Sequence, residues 1–110
     1  MSWKRLCAIG DLASDELRKF EVDGITVVAA LVDGAAVAYP PLCPHMAEPL
    51  AISGVCEEGV LTCTKHLWQW HMKTGGEIGI AERPLLCYAT KQEDAEVLID
   101  IVSELVYRHE

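Results

Sequence analysis

Five tight-turn signatures punctuate the chain: Val22-Asp23-Gly24, Val32-Asp33-Gly34, Glu57-Glu58-Gly59, Thr74-Gly75-Gly76 and Gln92-Glu93-Asp94. The runs between them are short and rich in apolar residues, which leaves little room for helices of ordinary length and points to an all-β sandwich or barrel. The stretches RKFEVDG and ITVVAALVDGAAVAYP predict consecutive antiparallel strands, with Asp33-Gly34 supplying the positive φ of a tight hairpin. Further strands are expected in GVLTC (59–63), LWQWHM (67–72), LLCYATKQ (85–92) and AEVLIDIV (95–102), giving at least six. Only SDELRKF, with a helical start at Ser14, and the tail SELVYRHE carry short helical signals.

With 110 residues the chain has the length of one domain, and no repeat, linker or low-complexity tract divides it. The longest apolar stretch, residues 25–32, falls far short of the roughly 20 residues that cross a bilayer, so it is read as a buried strand. The N-terminal basic pair is followed by only a brief apolar run before Asp11, so no secretory signal is expected and the cytoplasm is the expected compartment. Seventeen acidic residues against nine basic ones give a net charge of -8, which disfavours nucleic acid or anionic lipid as a partner.

Five cysteines, an odd number, fit a disulfide framework poorly in a reducing compartment. Cys7, Cys56 and Cys87 lie in apolar or β-branched surroundings and read as small buried hydrophobes. Cys43 and Cys63 differ, because each has a histidine close by: Cys43-Pro44-His45, then Cys63-Thr64-Lys65-His66 after residues 46–62. Both boxes fall between expected strands, and Pro40, Pro41, Pro44 and Pro49 stiffen the first by fixing φ and removing backbone donors.

Two thiolates and two imidazoles can make a structural zinc site, and a zinc-binding interaction module is one reading. Zinc modules, however, usually draw like pairs from each loop, whereas here each loop offers one cysteine and one histidine. That mixture suits a two-iron centre in which one metal takes both thiolates and the other both imidazoles. The CPH and CTKH boxes resemble the Rieske [2Fe-2S] signature, and the strand-rich chain around them resembles a Rieske domain over essentially its whole length. The resemblance implies one [2Fe-2S] cluster, with Cys43 and Cys63 on one iron and His45 and His66 on the other. It implies a single domain over 1–110, an antiparallel β-sandwich base with a small cluster-binding subdomain at one tip, approximately residues 41–72.

The respiratory members of that family brace the two loops with a disulfide; Glu48 and Lys65 stand at those places here. Those members also carry Ser and Tyr donors to the cluster sulfurs, where this chain has HLWQW, so a potential near the low end of the Rieske range, roughly -150 mV, is expected. The stretch from Cys63 to Ile80 looks most like the ferredoxins of multicomponent di-iron monooxygenases acting on aromatic or alkene hydrocarbons. Ferredoxins of ring-hydroxylating dioxygenases are the alternative.

Four protein ligands and two bridging sulfides would close both iron tetrahedra, so no catalytic residue is expected and the role implied is one-electron transfer. The histidine end would be the exit for the electron, and the potential should fall at alkaline pH as the outer imidazole nitrogens lose their protons. The partners implied are an NADH-dependent flavin reductase and an oxygenase hydroxylase, both docking transiently on a monomer. Trp68 and Met46 read as packing, with a docking rim as the other possibility, and Trp70 reads as core. Pro84 is placed in a third loop that covers the cluster in related proteins. His71 and His109 occupy no signature position.

Overall fold

The apolar run of residues 25–32, interrupted only by Thr26, is explained by where its strand lies. In the computed structural model, which describes residues 3–14, 16–44, 48–101 and 104–107, Val27, Val28, Ala29 and Ala30 are all fully excluded from solvent. Successive side chains of a strand point to opposite faces, so a run with no polar alternation is one buried on both sides. The two faces serve different cores. Val28, Ala30 and Val32 pack with Cys43, Leu61, Cys63 and Trp70. Val27 and Ala29 pack with Leu6, Cys7, Val97 and Ile99.

The strands are β1 (Trp3–Ala8), β2 (Arg18–Val22), β3 (Ile25–Val32), β4 (Ala35–Tyr39), β5 (Gly54–Glu57), β6 (Val60–Cys63), β7 (Trp68–His71), β8 (Glu77–Ile78), β9 (Thr90–Glu93) and β10 (Glu96–Asp100). A single helical turn, α1 (Leu50–Ser53), precedes β5, and a 3-10 turn spans Ile9–Asp11. Three antiparallel sheets result, in the orders β1-β10-β9, β2-β3-β4 and β5-β6-β7-β8. The first two share the core on one face of β3 and form the base of the domain; the third covers the other face. The all-β antiparallel expectation is met. Its hairpins turn where the sequence placed them: Asp23-Gly24, Asp33-Gly34 and Glu58-Gly59 have positive φ at both central residues, matching the right-handed twist of the strands they join.

Four local expectations are corrected. No helix starts at Ser14: the Leu31 amide, left without a ladder partner beyond the start of β2, takes the Ala13 carbonyl at 3.0 Å, and Ser14 bridges Leu31 in extended form. Helical propensity there yields to a strand donor that needs an acceptor. The expected strand at 85–92 is ladder-paired only from Thr90, because Leu85 and Tyr88 send their amides to Gly75 and Ala38, in different parts of the fold. Cys87, in that irregular stretch, is exposed rather than buried. The described part of the tail, 104–107, has no helix.

Candidate metal centre

The two Cys/His boxes are separate in sequence, and α1 joins them. At its start the Leu50 amide donates to the Pro41 carbonyl at 2.8 Å, just before the first box, and Leu42 bridges Pro49. At its end the Ser53 carbonyl accepts both the Thr64 amide at 2.9 Å and the Thr64 hydroxyl at 2.7 Å, inside the second box. The first loop is also closed on itself by Cys43 N–H to the Glu48 carbonyl at 2.9 Å. Gly54 pairs with Cys63 across β5 and β6, and added bulk at Gly54 would press on the Leu50 carbonyl at 2.6 Å, so the helical turn lies hard against the strand. Sequence reasoning missed this connector, because four residues are too few to show a helical period.

Cys43 and Cys63 are fully buried members of one core cluster, alongside Leu50, Trp68 and Trp70. His66 lies one tight turn beyond Cys63, whose carbonyl accepts the amides of His66 at 3.3 Å and Leu67 at 2.7 Å, and its side chain is half-buried. Its Nδ1 atom is shut off from water, and among the described residues no hydrogen bond reaches that atom. His45 and Met46 lie outside the described residues. The structure therefore brings Cys43, Cys63 and His66 onto two loops pinned to one connector.

Among the described residues no three His, Cys, Asp or Glu side chains form a group that could hold a single metal ion. Ligands shared two and two between a pair of irons do not require such a group. Two buried thiols with no disulfide, and a ring nitrogen shielded from water, are a donor set of the soft sulfur and imidazole kind that holds iron–sulfur clusters. The residues fit the group.

Around the boxes, Trp68 and Trp70 meet edge to face, with centroids 6.3 Å apart, and both are buried, so packing is their role as expected. The Trp70 indole N–H also reaches across to the Arg83 carbonyl at 2.8 Å, tying down the loop that contains the exposed Pro84. Leu85 and Ala81 of that segment pack into the same core as the two cysteines. Deeper in the fold, Tyr39 donates its hydroxyl to the Met72 carbonyl, and burial pushes its acidity constant well above the ordinary tyrosine value. His71 is exposed, and His109 lies outside the described residues.

Comparison with known proteins decides between iron–sulfur and zinc. The model of the Rieske [2Fe-2S] domain matches residues 2–89. The chain belongs to the Rieske [2Fe-2S] family. It is similar to the ferredoxin subunit of methanesulfonate monooxygenase from Methylosulfonomonas methylovora, 44% identical over 110 residues, which is 100% of this chain and 89% of that one. It is similar to the ferredoxin component of the alkene monooxygenase system of Xanthobacter autotrophicus, 34% identical over 94 residues, 86% of this chain and 77% of the other. Among solved structures, a chain from a complex of reduced oxygenase and oxidized ferredoxin in carbazole 1,9a-dioxygenase superimposes with a TM-score of 0.79 at 21% identity, over 94% of this chain and 97% of that one.

This Rieske chain is a ferredoxin, an electron carrier of an oxygenase system rather than its catalyst, and its cofactor is a Rieske-type [2Fe-2S] cluster. The zinc reading is set aside. Among the described residues, no helix is long and apolar enough to cross a membrane.

Proposed function

We propose that the chain is a single Rieske domain over 1–110 that serves as the ferredoxin of a multicomponent monooxygenase, carrying electrons from an NADH-dependent flavin reductase to the oxygenase. The observation that carries this reading is the pair of buried cysteines outside any disulfide, Cys43 and Cys63, held in one core by the same short connector, in a chain 44% identical throughout to a monooxygenase ferredoxin subunit. Cys43 and Cys63 would hold one iron, and His45 and His66 the other, within a subdomain of approximately residues 41–72. When bound, the cluster takes up one electron and passes it on.

The protein supplies an asymmetric setting. Cys43 and Cys63, with no exposed surface, keep water from the sulfur end. His66, half-buried in the turn 63–67, brings the nitrogen end toward the surface, where Nε2 holds the ring proton when Nδ1 is the ligand. The loops are held by backbone hydrogen bonds and packing, without a bracing disulfide. Five cysteines with no disulfide among them suit the reducing cytoplasm.

The higher identity and fuller coverage of the methanesulfonate relative support an oxygenase for a small alkylsulfonate ahead of the aromatic or alkene hydrocarbon that the sequence alone led us to expect. The test has two stages. Protein purified without oxygen should contain two irons and two acid-labile sulfides per chain and give a Rieske electron paramagnetic resonance signal on reduction. The reduced protein should then reoxidise on mixing with a methanesulfonate-type oxygenase component. Protein that contains one zinc and no sulfide would sink the cofactor assignment, and loaded protein that no monooxygenase reoxidises would sink the partner.

A further inference from the structure

Leu67 follows His66 directly, and its backbone lies at φ +61, in the left-handed region. The other non-glycine residues with positive φ among those described are Asp23, Asp33, Glu58 and Asp94, polar residues at turns, where short acidic side chains are common. Leu67 is the one apolar residue in that group, and a bulky side chain in this region is an outlier. The backbone cannot relax, because the Leu67 amide closes the turn on the Cys63 carbonyl at 2.7 Å and Trp68 is already paired with Cys63 in the sheet. Glycine or asparagine would fit without penalty. Burial does not explain the choice either, since Leu67 is 65% exposed. Strain and exposure coincide at a residue adjoining an iron ligand, and neither helps this chain to fold.

We propose that Leu67 is a docking anchor that buries its side chain in an apolar recess of the oxygenase component. This rests on the carrier function proposed above. Electron transfer weakens steeply with distance, so an oxygenase that takes the electron from the histidine end must close over the surface around His66, and residue 67 lies beneath it. The net charge of -8 favours a basic rim around that recess.

The test compares the holo-protein with Leu67→Asn, which tolerates positive φ but removes the apolar group, and Leu67→Met, which restores it. Leu67→Asn should melt no lower than the parent and keep its resonance spectrum and potential. The KM for ferredoxin in oxygenase reduction should rise at least about tenfold, as expected for losing one buried leucine, with kcat at saturation unchanged. Leu67→Met should recover most of the loss. An unchanged KM, a lowered melting temperature in Leu67→Asn, failure of Met to rescue, or a defect confined to the reductase step would each overturn the proposal. If the parent protein itself fails to reduce the oxygenase, it is the carrier function that falls.

Discussion

Trp70 donates its indole N–H to the Arg83 carbonyl at 2.8 Å, and this bond links β7, an inner strand of the sheet that carries Cys63, to the loop around Pro84. Trp70 is also fully buried. Trp70→Phe removes the donor and part of the packing volume, so it should cost about 2–4 kcal/mol in chemical unfolding. Hydrogen exchange localises the effect. The amides of Leu85 and Leu86, bonded to the Gly75 carbonyl and the Tyr107 hydroxyl, should lose protection first. Uniform loss across all the sheets would argue that the bond does not hold this loop specifically.

Gly75 is required by geometry. Its φ of +77 disfavours any side chain, and a Cβ there would collide with the Leu85 carbonyl oxygen and stand 3.0 Å from the Cys87 sulfur. Gly75→Ala should therefore destabilise by about 2–4 kcal/mol. Gly10, with open space around it and no positive φ, is the control, and Gly10→Ala should change stability by less than about 0.5 kcal/mol. Equal thermal midpoints for the two variants would show that the segment at 85–87 yields easily.

The legible and the hidden parts of this protein divide along a physical line. Hairpin turns were readable because Asp33-Gly34 and its counterparts state their backbone conformation locally, and β3 because no half-exposed strand would be apolar over six successive residues, 27–32. Cys43, His45, Cys63 and His66 stood out because their chemistry is rare and their spacing specific. What stayed hidden depends on partners remote in sequence. Ala13 is extended because Leu31 needs an acceptor, and residues 85–88 are irregular because their donors serve Gly75 and Ala38. The Ser53 carbonyl joins the boxes through a backbone atom that every residue type carries. Leu67 gave no signal, since its identity contradicts the conformation it adopts.

All three tyrosines have acidity constants raised in the fold, chiefly by burial. A hydroxyl held neutral when folded but free to ionise near pH 10 when unfolded contributes stability that is complete below about pH 10 and lost as pH rises toward the folded value. Tyr39, fully buried, should alone impose a slope of about 1.4 kcal/mol per pH unit above that point. Denaturation midpoints should hold level up to pH 9 and then fall, with tyrosinate absorbance appearing only as the chain unfolds. Tyrosinate formed near pH 10 in folded protein would contradict the burial of these hydroxyls.

His66→Cys tests the proposed place of His66 at the nitrogen end of the centre directly. A thiolate would replace a neutral imidazole on one iron and add negative charge, which opposes uptake of an electron. Rieske centres span roughly -150 to +300 mV, against about -400 mV for plant-type centres with four cysteines. The variant, if it keeps its cluster, should therefore fall by the order of 100 mV or more and lose the Rieske resonance pattern. His71, exposed and outside both boxes, provides the comparison, and His71→Ala should leave potential and spectrum as they were. Backbone hydrogen bonds from His66 and Leu67 to Cys63 do not involve the replaced ring, so the turn should survive, and circular dichroism can verify that it does. An unshifted potential with an intact Rieske spectrum in His66→Cys would mean that some other nitrogen ligand holds that iron.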